Sequence, residues 1–406
     1  MGTDLDSAPQ GPLSGIVVLD FSAVVSGPLC GQILGDLGAE VVKVEPPKGD
    51  SSRAMGLPVK EGISPLFSHC NRNKRAITID LKTSAGQGVA RRLAERADLV
   101  IENFRPGVAE RLGLGYEVLA KDNPGLIYMS ISGFGPDGPR SDEPAYDTVI
   151  QGLTGLMPQQ GGREREPRMV QGVVADKVTA LTAAYSAIAA LFARGKTEGR
   201  GQHIEVPMFD AYTAFLIPDL IGSATFPDEP QVTSVNPHRT WKTADGFVVM
   251  MIIEDRQFSG LCHAIGRADL LDDPRAATIV TRQEHGREIF SEVRDALKAY
   301  STHDLLAKAR KYGVPMAPVN NVAELLEDPQ SLHNGTIFEV EDDPGLGRTR
   351  YVRSPPRFSE TPSSTRRLPP RPGEHTRVLL REAGLDDSDI DDLIQSGAVA
   401  ELKADD

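Results

Sequence analysis

The sequence predicts an α/β protein: a large, doubly wound domain and a smaller α+β domain. Three observations carry this. After a polar tail, the apolar run GIVVLDF (15–21), a helical stretch from Ser26 to Leu37 and GAEVVKVE (38–45) follow one another. Strand, helix and strand within about thirty residues form a βαβ unit, which implies parallel pairing and a Rossmann-like sheet. Further strand patterns each close on a polar, glycine-bearing loop, where open parallel sheets hold ligands. The composition then changes near residue 226, as expected for a chain of 406 residues at ~150 per domain.

The elements follow in order. The glycines of the first unit, Gly27, Gly31, Gly35 and Gly38, do not form GxGxxG, and no Walker A loop occurs. Nicotinamide and ATP sites are therefore disfavoured. A loop over 46–65 leads to NRNKRAITIDLK (71–82), where Arg72, Lys74 and Arg75 precede an alternating strand at 76–81 and Lys82 follows it. Next come a helix over 84–97, the strand ADLVIENF (97–104), the turn Arg105-Pro106-Gly107 and a short helix carrying Arg111. GLIYMSISGFG (125–135) is a further strand, ending in a Gly/Pro-rich loop to Asp142. The stretch 167–205 places one acid, Asp176, ahead of an uncharged, alanine-rich run over 178–193, then closes on the basic turn 194–201. With no proline inside, it reads as a buried helix with an acid at its N-terminus.

PHRTWKTADGFVVMMIIEDRQF (237–258) predicts two strands around an Asp-Gly turn at 245–246. Helices over 257–271 and 285–311 and the strand-like VPMAPVN (314–320) complete the small domain. Residues 335–372, rich in Pro, Gly, Arg and Ser, predict an extended linker, and 375–384 and the stretch from Asp387 predict helices. The boundaries are 10–225 for the large domain, 226–325 for the small one, and 326–406 for the linker returning to the large domain with the C-terminal helices.

Composition narrows the function. With 44 basic against 57 acidic residues the net charge is −13, so bulk nucleic-acid binding is not expected. Cys30, Cys70 and Cys262 form no CxxC or Cys/His set, and the eight histidines are scattered without HExxH. Disulfides and a metal site are disfavoured, and a reducing compartment fits. The N-terminus MGTDLDSAPQG is acidic and polar, unlike a targeting peptide, and the run 178–193 is short of the ~20 apolar residues a membrane span needs. A cytoplasmic protein with no membrane or nucleic-acid partner is expected.

Three constellations can carry chemistry. Arg72, Lys74 and Arg75, with Lys82 and Arg111, would suit a ligand with several phosphates, or form a solvated turn. Asn103 and Phe104, with Arg105 behind them, offer an amide and an aromatic face, or an ordinary turn. Tyr146 and Asp147 lie between the 125–135 strand and Asp176; Tyr146 can donate or simply pack, and Asp147 can tune another acid or cap a helix starting at Thr148. Asp176 itself is either a helix cap or a carboxylate nucleophile. No GxSxG elbow occurs, and Cys30 has no histidine partner.

Taken together, LSGIVVLDFSAVVSGP, LGAEVVKVEPPKGD, NRNKRAITIDLK, ENFRPG, SGFGPDGP, PAYD, GKTEGRGQHIEVPMFDA, TADGFV, EDRQF, GVPMAPVN, RFSETP and GEHTRVLLREAG resemble the class III coenzyme A transferases, the family also named after its carnitine and bile-acid members. The resemblance covers nearly the whole chain. It implies a large domain built from both chain ends, a small domain covering the active site, and an interlocked homodimer. By position, Asp176 matches the nucleophile. Val25, Ser26, Ile79, Asp80, Leu81, Lys82, Asn103, Phe104, Arg111 and Tyr146 match residues that hold coenzyme A; Arg105 is grouped with them. Pro46 stands where some members carry a basic residue, so Lys48 or Arg53 is expected to replace it. Where several members carry a glycine-rich loop over the acyl group, this chain has Met250-Met251-Ile252-Ile253-Glu254.

The implied reaction moves coenzyme A from an acyl-CoA to a free carboxylic acid through aspartyl anhydride and aspartyl-CoA thioester intermediates, with coenzyme A as substrate and no prosthetic group. A carboxylate ionised at neutral pH needs no general base for this attack, and backbone N–H groups at the start of the Asp176 helix are candidate oxyanion donors. Two alternatives stay open: α-methylacyl-CoA racemisation on the same fold, which uses a His–Asp arrangement where this chain has Tyr146-Asp147, and a coenzyme A-binding member without catalysis.

Overall fold

The structure, a computed structural model, describes residues 11–161, 166–229 and 239–402. The polar tail, residues 237–238 of the expected hairpin and the last four residues lie outside the described residues. The chain divides into two compact units, Met1–Gly222 with Gly335–Asp406, and Ser223–Asn334.

The first unit is built on a seven-stranded sheet. Its strands are β1 (Val17–Asp20), β2 (Glu40–Glu45), β3 (Lys74–Ile79), β4 (Leu99–Glu102), β5 (Ile127–Ser132) and β6 (His203–Pro207), with β12 (Val399–Ala400) at one edge. The order is β12-β3-β2-β1-β4-β5-β6. β1 to β6 are parallel, and only β12 runs antiparallel, against β3. Chain order reverses at β1, so the crevice at the carboxyl ends of β1 and β4 is a switch point of the doubly wound type.

Both faces of the sheet are covered, which is why its strands read as continuous apolar runs. Successive side chains alternate between faces. Val18, Val41, Leu99 and Ile127 pack against α1 (Ser26–Asp36), α3 (Asp147–Leu153), α4 (Val174–Arg194) and α5 (Met208–Leu220). Leu19, Val42, Val100 and Tyr128 pack against α2 (Ser84–Ala94) and against Leu379, Leu380 and Ile390 of the C-terminal helices. The return of the chain is fixed by Asn73, which accepts the N–H groups of Arg366 and Arg367 and donates to Ser364.

Several elements differ from the sequence expectation. The strand expected at 76–81 is shifted two residues earlier, because the stem of Lys74 enters the sheet and its ammonium is paired inside. HIEVP, at 203–207, forms β6. The supposed linker contains an antiparallel hairpin, β10 (Ile337–Asp343) and β11 (Gly347–Val352). Its Pro344-Gly345 turn gives the stretch a linker composition, while Tyr351 is buried and donates to Asp343 at 2.6 Å.

The helix α4 is long and apolar enough to cross a membrane by length and composition. One of its faces, Ala175, Ala183, Ala187 and Ala190, is packed into the core.

The second unit holds a three-stranded antiparallel sheet of β7 (Thr240–Lys242), β8 (Phe247–Met250) and β9 (Met316–Pro318), with the Asp-Gly turn between β7 and β8. Helices Asp255–Ala264, Gly286–Leu297 and Thr302–Lys311 pack with it around Val248, Phe258, Ile289 and Leu305. The long helix expected over 285–311 is thus two helices, and Ser301, as N-cap of the second, accepts the N–H of Asp304. This unit extends to Asn334 because two short helices, Val322–Glu327 and Pro329–Asn334, belong to it.

Candidate active site

Asp176 lies in the first turn of α4, with 9% of its surface exposed. It does not cap its own helix. The cap comes from Asp147, buried at the start of α3: its Oδ2 accepts the N–H groups of Ala175 at 2.7 Å and Asp176 at 3.2 Å. Its Oδ1 accepts from Gln151 at 2.6 Å, and Gln151 also accepts the N–H of Val170. The segment entering α4 is therefore clamped onto α3, and two buried carboxylates sit side by side. Burial pushes the Asp176 carboxyl up to about 6, the charge of Asp147 pushes the same way, and hydrogen bonds from the Ser26 hydroxyl and backbone N–H oppose both. The acid is still mainly ionised at pH 7, but its desolvation outweighs any help from the helix N-terminus.

This raised value has a consequence for stability. Folding increases proton affinity, so the stabilisation is complete below pH 3.8 and is lost as pH rises through about 6, a swing of about 3 kcal/mol. Asp176→Asn removes the swing. The variant should therefore gain stability over the wild type between pH 4.5 and 7.5, read as urea midpoints. An equal difference at both pH values would contradict the raised acid.

Ser26 reaches Asp176 because the β1–α1 loop is held in an unusual path. Val24 has φ 72, a conformation costly for a β-branched residue, of order 1–3 kcal/mol. Its N–H reaches Asp50 at 3.2 Å, and the Asn103 carboxamide both accepts from and donates to the backbone of Ala23, each at 2.8 Å. Asp50 is anchored by the Lys43 ammonium at 2.8 Å. Burial works to raise its pKa, but Lys43 and Ser52 outweigh that and carry it down to about 2. Gly27 completes the loop, since a Cβ there would come within 2.2 Å of the Ser22 side chain. Val25 and Ser26 are thus presented at the head of α1 beside the head of α4.

The expected cofactor cations split into two groups. Lys74 is fully buried and all three ammonium protons are used, on Asp20 at 2.8 Å, the Pro28 carbonyl at 2.7 Å and Asn71 at 2.9 Å. Arg72 forks onto Asp36, and Arg75 onto Glu382 and Glu40. Arg53 forks onto Glu45 and stacks 3.7 Å over Phe67. The reading of Arg53, Arg72, Lys74 and Arg75 as phosphate ligands is therefore corrected: the buried Arg53, Arg72 and Lys74 find their counter-charges inside, and the half-buried Arg75 is engaged by Glu40 and the exposed Glu382. Lys82, Arg105 and Arg111 are exposed, outside every ion pair seen among the described residues, in the segments that follow β3 and β4. Lys48 is exposed as well.

The other expected residues lie at the same sheet edge. Ile79 ends β3, and Asp80 turns the chain, accepting the Lys82 N–H at 3.0 Å, with Leu81 half-buried between them. Phe104 is half-buried against Phe21, and its N–H donates at 2.7 Å to Glu102, whose carboxyl burial pushes up to about 7. Tyr146 is exposed at the start of α3. The oxyanion expectation needs correction, because the N–H groups at the head of α4 are taken by Asp147. Gln151, Asp50 and the Val24 backbone were not foreseen. Asp147 and Gln151, four apart on an otherwise apolar helix, are a signal that marks the first of these.

A profile of CoA-transferase family III matches residues 13–376. A succinate–glutarate CoA-transferase of Agrobacterium fabrum is 36% identical, over 91% of this chain and 95% of its own. A succinyl-CoA:glutarate CoA-transferase of Homo sapiens is 33% identical, over 96% and 90%. The crystal structure of a CAIB/BAIF family protein from Brucella suis superposes with a TM-score of 0.81 at 35% identity, covering 92% of this chain and 100% of that one. With most of its length matched in this way, the chain belongs to CoA-transferase family III and is a class III CoA-transferase.

Proposed function

We propose that Asp176 is the nucleophile that carries coenzyme A from an acyl-CoA to a free carboxylic acid. The supporting observation is a buried, mainly ionised carboxylate at the carboxyl edge of the sheet, with Ser26 and Asp147 set on either side of its chemistry. The Asp176 carboxylate adds to the thioester carbonyl, the C–S bond breaks, and the coenzyme A thiolate leaves with the electron pair. The thiolate then adds to the aspartyl carbonyl of the anhydride and expels the donor acid as its carboxylate, leaving an aspartyl-CoA thioester. The incoming carboxylate repeats the exchange in reverse, and no net proton is taken up. Burial and the Asp147 charge favour this course, because both penalise the free carboxylate and neither penalises the neutral anhydride or thioester. The Ser26 hydroxyl and N–H are the donors that face the aspartyl carbonyl. Transfer in single turnover should rise with pH through about 6 and stay level above it.

Asp147 has both oxygens engaged, and Tyr146 stands where the racemases carry a histidine, so proton abstraction α to the thioester is not part of this reading. Incubation with acyl-CoA in deuterated water should leave the α-position unlabelled, and rapid α-exchange would overturn the transfer reading.

Coenzyme A is held, in this reading, at Val25, Ser26, Ile79–Lys82, Asn103, Phe104 and Tyr146, with its phosphates on Lys82, Arg105 and Arg111. Arg111→Gln should raise KM for acyl-CoA about tenfold with kcat nearly unchanged. Arg72→Gln should lower the melting temperature and leave KM alone; the opposite pattern would reverse the assignment. The protein works as a homodimer, interlocked as the family resemblance implies. Support for a partner comes from the exposed row Leu181, Tyr185, Ile188 and Phe192 along α4, a stripe at helical spacing that a monomer would leave in water. A cytoplasmic setting keeps the three buried cysteines as thiols.

A further inference from the structure

Glu102 closes β4 and is buried. Asp20, Asp36, Glu45 and Asp50 are each paired with a cation, whereas the charge acting on Glu102 is the like-signed Glu110, exposed on the short helix Val108–Arg111. Its hydrogen-bond partners are neutral. One carboxylate oxygen accepts the N–H of Phe104 at 2.7 Å. Ser130, its register partner on β5, is hydrogen-bonded to it as well, and the Ser130 hydroxyl lies 2.9 Å from Nε2 of His203 on β6. Tyr128 faces it from β5, and Glu205, the register partner of Ser130 on β6, is exposed. His203 is exposed too, stacked on Tyr116 at 5.4 Å with Tyr128 against its edge. A hydrogen-bonded path therefore runs from water through His203 and Ser130 to a buried carboxyl group.

The two residues after Glu102 are what this group holds. Its bond to the Phe104 N–H fixes the turn that leaves β4, and within that turn the Asn103 carboxamide grips both backbone polar groups of Ala23, each at 2.8 Å. Ala23 opens the loop that carries Val25 and Ser26. We propose, on the reading that Asn103 and Phe104 hold coenzyme A, that Glu102 is their positioning residue: as a carboxylate it locks the Asn103–Phe104 turn in the form that binds, and as a neutral acid it loosens that turn. The Ser130 hydroxyl has one proton to give. With Glu102 ionised, Ser130 donates to the carboxylate and accepts the Nε2 proton of His203. When a proton from water reaches His203 Nδ1, the Nε2 proton passes to Ser130 and the Ser130 proton to Glu102, and His203 is left neutral with its proton on Nδ1. The Phe104 N–H then meets a neutral oxygen and loses charge assistance, roughly half the strength of the bond. Burial pushes the Glu102 carboxyl up to about 7 and Glu110 pushes the same way, against the bonds from Ser130 and Phe104. Affinity for coenzyme A therefore increases as pH rises through about 7, apart from the increase in transfer at about 6 that Asp176 sets.

Coenzyme A is titrated by calorimetry into full-length Asp176→Asn protein, in which the other raised acid no longer ionises, at pH 6.0 and pH 8.5, with and without Glu102→Gln. Glutamine reproduces the neutral acid, since it accepts from Phe104 and donates to Ser130. At pH 6.0 the two dissociation constants should agree within about twofold, and at pH 8.5 that of Glu102→Gln should be about three- to tenfold higher. The ligand's own phosphate monoester titrates at about 6, but equally in both proteins, so the ratio reports Glu102. Ser130→Ala removes a bond that holds the acid down, and the midpoint of the affinity change should move upward in that variant. Equal constants at pH 8.5, or a ratio that stays the same at both pH values, would overturn the positioning role. Melting temperatures check that the variants fold. If Glu102→Gln does not fold, Ser130→Ala decides, and an unmoved midpoint there contradicts the role. Phe104→Ala separates the two readings. A raised constant in Phe104→Ala beside an unchanged one in Glu102→Gln sinks the role of Glu102 alone, while an unchanged constant in Phe104→Ala removes the turn from the coenzyme A site and Glu102 with it.

Discussion

Asp176→Ala and Asp176→Asn should each lower turnover by at least ~10⁴-fold, since removal of a covalent nucleophile leaves only binding and positioning. Asparagine is the more informative change. Its amide fits the same space, keeps a contact to Ser26, and removes the carboxylate that burial makes costly, so the variant should be more stable than the wild type at pH 7.5 while inactive. Loss of activity then cannot be assigned to unfolding. Acyl-CoA should still bind with a KD close to the wild-type value, because Lys82, Arg105 and Arg111 are untouched. Residual turnover within about tenfold of wild type would remove Asp176 from the covalent role.

Asp20→Ala should cost about 3–5 kcal/mol of stability, the largest effect expected outside the active site. Asp20 and Lys74 are both fully buried at 2.8 Å. Lys74 also pulls the Asp20 acid below its ordinary value against the push of burial. Deleting the carboxylate strands an ammonium in the core beneath α1. Pairing the change with Lys74→Met, as Asp20→Leu/Lys74→Met, should recover most of the loss. Guanidinium denaturation of the three variants measures both. A loss under 1 kcal/mol in Asp20→Ala, or a Lys74→Met variant with normal stability and a raised KM for acyl-CoA, would return Lys74 to the phosphate site.

The two uses of Lys74 show what a sequence can carry. The run Arg72-Asn73-Lys74-Arg75 looks the same whether it faces water or the core, because its counter-charges Asp20, Asp36, Glu40 and Glu382 come from other elements. Only the fold brings them together. The βαβ start was legible because strands buried on both faces have no polar alternation to confuse them. Asp176 was legible as the lone acid ahead of a long uncharged helix. Its raised pKa was not, because the causes are burial by the folded chain and, after that, the charge of Asp147, twenty-nine residues away in sequence. Neither was the strained Val24, since nothing in Ala-Val-Val-Ser announces a left-handed residue. The β10–β11 hairpin was hidden by prolines and arginines that lie around and on it, while the residues that set its register, such as Phe338 opposite Tyr351, are few.

The most direct measurement is trapping of the covalent enzyme. The full-length protein is mixed with acyl-CoA, quenched with hydroxylamine, digested and read by mass spectrometry. A hydroxamate on Asp176, in the tryptic peptide 169–177, is expected from the wild type and should be absent from Asp176→Ala. Coenzyme A transfer at full rate with no modification of that peptide, or with the adduct on Cys30 or another residue, would contradict the nucleophilic role of Asp176.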